Sequence, residues 1–296
     1  MTTPDETRNH TNASMLNVGC GTRWHWAWCN IDLVSTQPEV IQHDIRDGLP
    51  FEMNSFQVVY HSHVLEHLDP AAGERLVREC FRVLNPGGVL RIVVPDLERI
   101  AHLYLSMLRK AWDGDSAARE NYEWMKLELL DQLVRSKSGG QMGPYMIDAS
   151  RKNADFVKSR IGDEINSCQT ASSNKATATH VSFGARFKSW RESFSLRLVG
   201  WLLGRDQSQA LQEALFRQQG EIHRWMYDRL SLKQLCQRCG FEDFQVCQAM
   251  ESSVDEFTSF GLDAVNGSVR KPDSLFIECR KPLAGSQARP KRSRAA

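Results

Sequence analysis

No stretch of the chain approaches the roughly 18 consecutive apolar residues that a membrane-spanning helix needs, which excludes an integral helical membrane protein. Charge of one sign is also missing. The 37 Lys and Arg residues balance 36 Asp and Glu for a formal net charge of +1, so there is no general basic field and nucleic acid is not an expected partner. The polar start, Met1 to Asn12, lacks the apolar segment of a secretory leader. The eight cysteines are therefore read as reduced thiols of a cytoplasmic protein. Cys236 and Cys239 have C-x-x-C spacing, but they have no second pair and lie in an apolar-periodic stretch before Gly240. They read as buried helix cysteines, and no metal site is expected. With 41% apolar and 25% charged residues in 296, the composition is that of a globular domain large enough to need no disulfide staples.

One more absence is informative because of what surrounds it. Gly19-Cys20-Gly21 ends the apolar run Met15 to Val18, and Trp24 stands where a dinucleotide fingerprint would carry its third glycine. A second strand-like run, Cys29 to Leu33, contains Asp32, which comes after the glycines far sooner than the usual ~20 residues. A third strand-like run ends in Asp44. A glycine turn leaving a strand admits a ligand close to the backbone, and a carboxylate at the tip of the next strand can hold ribose hydroxyls. The pattern points to a nucleoside cofactor and away from a nicotinamide dinucleotide.

Motifs farther along the chain narrow the choice. Leu49-Pro50-Phe51 precedes a strand-like run from Phe56 to His61, then Val64-Leu65-Glu66-His67-Leu68. Val83-Leu84-Asn85-Pro86-Gly87-Gly88 turns directly into the apolar strand Val89 to Val94, closed by Pro95-Asp96. In this order the motifs resemble those of the class I S-adenosylmethionine-dependent methyltransferases, specifically the methyltransferase type 11 group. The resemblance is close over residues 14–98 and resumes more weakly over 221–282. It implies a doubly wound α/β fold with a mostly parallel seven-stranded sheet, and S-adenosylmethionine as the cofactor. The short link from glycine turn to acidic strand also resembles members associated with bacterial surface-polysaccharide biosynthesis, which implies a sugar or glycan acceptor. Small metabolites, lipids or quinone precursors are alternatives, as is a cofactor-binding partner protein without turnover.

Chain organisation fits that outline. Residues 1–13 read as a loose arm and 14–96 as the cofactor-binding core. Residues 97–222 form a helical insertion between the fifth and sixth strands, with apolar residues at helical spacing from Ile100 to Trp112 and Tyr122 to Leu133. Within it, 136–182 is rich in Ser, Gly, Asn, Thr and Ala and reads as a long mobile loop or a partly disordered insertion. Residues 223–282 complete the α/β core and 283–296 form a basic tail. The stripe Phe183, Phe187, Trp190, Phe194, Leu198 and Trp201 alternates with arginines, so 183–202 either packs onto its own domain or touches an anionic membrane surface. Only Thr22 to Trp28 separate the glycine turn from the second strand, too few for the usual helix. Trp24, Trp26 and Trp28 read as a plug for that space rather than as an adenosine stack.

The resemblance implies roles for particular residues. Gly19 and Gly21 approach the methionyl and ribose parts of the cofactor, Asp32 accepts from the ribose hydroxyls, and Asp44 with Ile45 meets the adenine. Ser62 presents backbone groups to the aminoacyl end. An alcohol acceptor must lose a proton, which makes histidine the natural base. His223, at the re-entry to the sheet, is the leading candidate and His63 the second. His63, Glu66 and His67 stand at i, i+3 and i+4, so one helical turn points all three the same way. Some relatives carry an E-x-x-E-H motif that binds a metal, but His63 replaces its first glutamate here. Glu66 and His67 brace the turn, serve the acceptor as base or binding group, or ligate a metal. Tyr227 and Asp228 either orient His223 or start the next helix.

Overall fold

Seven short runs with β-branched and apolar residues pair into one sheet of order β3-β2-β1-β4-β5-β9-β6. Its strands are β1 Met15–Val18, β2 Cys29–Asp32, β3 Val40–Gln42, β4 Phe56–Ser62, β5 Leu84–Pro95, β6 Glu242–Cys247 and β9 Ser274–Arg280. The computed structural model describes residues 13–35, 37–148, 152–162, 201–202, 204–218 and 220–285. These fall into two compact units, one of Met1–Asp96, Trp225–Val269 and Ser274–Ala296, the other of Leu97–Arg224 with Arg270–Asp273.

In the first unit β1 to β5 run parallel, whereas β9 lies antiparallel to both β5 and β6. Sequence order reverses between β1 and β4, which are direct neighbours, with Val18 opposite His61. Open α/β sheets bind ligands beyond the carboxyl ends of strands at such a reversal. Residues 19–21 and 62–63 leave the sheet there.

Two helices cover one face. Helix α1, Pro70–Val83, starts where Asp69 accepts the Ala72 N–H and proline takes the first turn, and it buries Leu76, Val77, Cys80 and Val83. Helix α7, Arg229–Arg238, starts with a reciprocal Asp228 and Ser231 cap and buries Leu232, Leu235 and Cys236. Both pack on Leu16, Val18, Ile31, Val59, Leu90 and Ile92. The Cys236 and Cys239 side chains are buried at the end of α7, and burial pushes the Cys239 thiol up to about 11.

The opposite face is covered by the excursion between β6 and β9, whose Ala249, Phe257 and Leu262 pack on Trp28, Val58, Tyr60, Val93 and Phe276. It carries a small hairpin of β7, Ala264–Val265, and β8, Ser268–Val269. A fully buried arginine fastens it. Arg91 donates to Asp263 and Glu278, each at 2.7 Å, and to the Glu251 carbonyl at 2.9 Å, while its guanidinium lies 4.6 Å from the Phe257 ring centre. Tyr60 donates to the other Asp263 oxygen at 2.6 Å. Of the three tryptophans after the glycine turn, Trp28 alone is buried, edge-on to Phe257 and Phe260. Trp24 is half-buried and Trp26 is 71% exposed, so one tryptophan fills the space rather than three.

The second unit is helical: α2 Leu97–Trp112, α3 Ser116–Val134, α4 Met142–Ile147, α5 Ala154–Ile161 and α6 Arg205–Gln218. Helices α4 and α5 correct the expectation of a loop across 136–182. Their anchors are few, which is why periodicity misses them: Met142, Tyr145, Val157 and Ile161 are buried, and Tyr145 and Asn153 both bond the Glu120 carbonyl. Arg160 pairs with Glu128 at 2.5 Å, and Trp124 Nε1 donates to the same carboxylate. The N-terminal arm, residues 163–200 of the insertion with most of the amphipathic stripe, and 286–296 of the basic tail lie outside the described residues. Among the described residues no helix is long and apolar enough to cross a membrane.

Candidate cofactor and acceptor site

Gly19 and Gly21 both occupy the left-handed region, at φ +65° and +54°. The Gly19 N–H donates to the Ile31 carbonyl at 2.8 Å, which folds the turn back over the end of β2. That brings the Gly21 N–H to Asp32 Oδ2 at 2.8 Å, while Asp32 Oδ1 accepts from Val34 N–H at 3.1 Å. Each oxygen retains acceptor capacity for a hydroxyl. A Cβ at Gly19 would drive into Val64, whereas one at Gly21 would meet nothing within 4 Å. The turn therefore has one packed glycine and one facing open space, as close approach by a ligand requires. Cys20, between them, is no nucleophile, since burial and the Asp32 charge push its thiol up to about 12.

Asp44 lies two residues beyond the end of β3, and its carboxylate caps a 3-10 turn, Ile45–Asp47, by accepting the Arg46 N–H. Arg46 also reaches back: Nε donates to both carboxylate oxygens, at 2.9 and 3.0 Å, and Nη2 to Oδ2 at 2.5 Å. The guanidinium holds the Asp44 carboxyl below the usual carboxylate range. Ile45 is half-buried against the core and, with Arg46, Leu68, Ala72 and Arg75, lines a cavity of about 290 Å³.

At the carboxyl end of β4, Ser62 is half-buried and His63 turns into the left-handed region at φ +55°. Its N–H donates to the Val93 carbonyl at 2.9 Å. His63 Nδ1 lies 3.0 Å from Glu66 Oε1 and Nε2 lies 2.9 Å from Ser274 Oγ. The turn carrying Glu66 is 3-10, Leu65–His67, rather than α-helical, and the Glu66 side chain is fully buried. His61, one residue before Ser62, is also fully buried, and burial pulls its pKa down to about 4. His223 belongs to the second unit, where it is buried and its N–H donates to the Gln132 carbonyl at 3.0 Å. Asp228 starts α7 as its cap. Tyr227 is buried, and burial together with the Glu66 charge pushes its phenol up to about 12.

Ser274 carries no sequence signal of its own. It lies 211 positions beyond His63, and only the antiparallel course of β9 returns it to this edge, opposite Pro95.

Residues 25–92 match the family model described as a methyltransferase domain. Those residues carry a methyltransferase domain. The seven-stranded, mostly parallel sheet and its order are those of the class I methyltransferase fold. No curated protein sequence matches it. Among solved structures, it is similar to an S-adenosylmethionine-dependent methyltransferase of Thermotoga maritima, with 11% identity over 90% of this chain and 81% of that one and a TM-score of 0.36. The corresponding figures for one from Archaeoglobus fulgidus are 11%, 90%, 85% and 0.36. The 1,6-didemethyltoxoflavin-N1-methyltransferase of Burkholderia thailandensis, solved with S-adenosylhomocysteine, is 20% identical over 28% of this chain and 44% of that one, with a TM-score of 0.24. The open side of Gly21 beside the Asp32 carboxylate suits a nucleoside cofactor.

Proposed function

We propose that this methyltransferase acts on an oxygen, with a sugar or glycan hydroxyl as the acceptor and His63 as the base. The carrying observation is the His63 ring, held by a buried carboxylate at Nδ1 and facing a hydroxyl at Nε2. An amine acceptor has a lone pair of its own, whereas a hydroxyl must lose its proton as the new bond forms. Bound S-adenosylmethionine supplies a sulfonium methyl that an aligned nucleophile can take, its carbon–sulfur pair remaining on sulfur. Gly19, Gly21, Asp32, Asp44, Ile45 and Ser62 hold that cofactor in this reading. The early Asp32, eleven residues beyond Gly21, supports the sugar or glycan acceptor through its resemblance to the polysaccharide-associated members.

The test is methyl transfer from labelled S-adenosylmethionine to sugar nucleotides, lipid-linked glycans and quinone precursors, compared in wild type and His63→Gln. Transfer to a sugar hydroxyl that collapses in His63→Gln is the expected result. Methylation of quinone precursors alone would replace the acceptor. Silence across the panel, with tight cofactor binding by calorimetry, would instead make the protein a cofactor-binding module.

A further inference from the structure

We propose that Ser274, His63 and Glu66 form a proton relay, in which Ser274 Oγ receives the acceptor's proton while passing its own to His63 Nε2 and Glu66 holds the ring from Nδ1. The proposal rests on the oxygen-transfer reading and adds Ser274 as a catalytic residue and Glu66 as a positioning residue.

The three side chains come from the end of β4, the 3-10 turn after it and the first residue of β9. Their distances are those of a hydroxyl, base and carboxylate in series: 2.9 Å from Ser274 Oγ to Nε2 and 3.0 Å from Nδ1 to Glu66 Oε1. The charge of an ionised Glu66, 3.0 Å from Nδ1, favours the tautomer with its proton at Nδ1 and a lone pair at Nε2. The Ser274 hydroxyl must then donate to Nε2, which leaves its oxygen lone pairs free to accept from a second hydroxyl. Ser274, itself buried, occupies Nε2 and closes direct access to it.

Two further observations agree. Because β9 is antiparallel to β5, its first residue lies at the edge where the parallel strands end, opposite Pro95. His63 also holds a left-handed backbone at φ +55° without being glycine. Such a conformation costs a non-glycine residue about 1–2 kcal/mol, and it persists where surrounding contacts fix the residue.

The proton count closes. The acceptor O–H bond breaks, Ser274 Oγ gains that proton and loses its own to Nε2, and Ser274 ends as the neutral hydroxyl it began as. His63 becomes an imidazolium beside the Glu66 carboxylate and later returns a proton to solvent. The acceptor's oxygen pair forms the bond to the methyl carbon as the carbon–sulfur bond breaks.

Ring-nitrogen NMR of the full-length protein without ligand tests the direction first, and a neutral His63 protonated at Nδ1 is expected. In Glu66→Gln the side-chain amide donates to Nδ1, so the ring proton should move to Nε2. With whichever acceptor of the sugar, glycan and quinone panel turns over best, this variant should lose kcat by on the order of 10⁴-fold, the scale of a base held in the wrong tautomer. Ser274→Ala should keep the Nδ1–H tautomer and lose about 10²-fold in kcat, with cofactor affinity unchanged, and Ser274→Thr should restore most of it. A wild-type ring protonated at Nε2 overturns the relay, even if no acceptor turns over or Glu66→Gln fails to fold. Full turnover by Ser274→Ala also overturns it, leaving His63 as the base. Full turnover by His63→Gln would overturn the oxygen-transfer base itself.

Discussion

Asp32 Oδ2 accepts the Gly21 backbone N–H at 2.8 Å, so the carboxylate placed to hold a ribose also fixes the turn beside it. Sequence distance and spatial distance converge here, because the turn folds back onto the end of β2 through Gly19 and the Ile31 carbonyl. The brevity of the connection is what makes one side chain serve both purposes.

Substituting Asp32 separates the two. Asp32→Asn retains one acceptor oxygen, whereas Asp32→Ala retains none. Losing a hydrogen bond to a charged group costs about 1.5–3 kcal/mol, or roughly tenfold to a hundredfold in Kd. Calorimetry with S-adenosylmethionine should show the smaller loss for Asn and at least the larger one for Ala. Unchanged binding in Asp32→Ala would remove Asp32 from the cofactor site.

The two glycines of the turn should fail in different ways. Gly19→Ala places a methyl against Val64 in a left-handed conformation, so it should unfold more easily. Gly21→Ala meets no protein atom within 4 Å. It should lose only the ~1–2 kcal/mol of backbone strain, yet its methyl projects where the ligand is expected, and cofactor affinity should fall more than stability does. Thermal melts and calorimetry on both variants decide this, and equal melting losses with equal affinities would contradict it.

How much of the fold and site is legible in the sequence depends on the range of the interactions. The sheet, the glycine turn and the reversal beside β1 rest on contiguous runs and their order, and both can be read along the chain. His63 with Glu66 is also visible, as a three-residue spacing, although as part of a helix rather than a 3-10 turn. Ser274 is not visible, because its approach to His63 depends on the last strand entering the sheet antiparallel. Arg91 reads in sequence as a lone charge inside an apolar strand, and its partners Asp263 and Glu278 lie more than 170 positions away. Asp44 reads as a strand end, but a 3-10 cap with Arg46 folded onto it cannot be told from a solvated turn by composition.

The Arg91 cluster should be costly to break. Removing one partner from a buried ion pair leaves an uncompensated charge, at about 3–5 kcal/mol. Asp263→Ala removes the hydrogen bonds that Arg91 Nε and the Tyr60 hydroxyl donate to it, leaving Glu278 as the carboxylate on Arg91. Urea unfolding should show the midpoint falling in Asp263→Ala and falling further in Arg91→Met, which leaves two buried carboxylates, Asp263 and Glu278, without their cation. A loss below about 1 kcal/mol in Asp263→Ala, the range of an exposed pair, would show that the excursion is held by its aromatic contacts instead.

His61 gives the unit a specific sensitivity to acid. Its ring is fully buried, neither nitrogen has a hydrogen-bond partner among the described residues, and burial lowers its pKa from 6.5 to about 4. Between those two values the unfolded chain binds a proton that the folded chain refuses. Stability from this residue is therefore fully present above pH 6.5 and is lost as pH falls toward 4. Comparing about pH 7 with about pH 4.5, the loss is on the order of 2–3 kcal/mol. His61→Leu fills a similar volume without a titrating group or an unpaired N–H, so at neutral pH it should match or exceed the wild type by up to about 1 kcal/mol. Carboxylates such as Asp44 and Glu79, held low by arginines, weaken both proteins alike in acid. The difference between wild type and variant isolates the histidine, and urea midpoints that run parallel across this interval would show that His61 is protonated in the folded state.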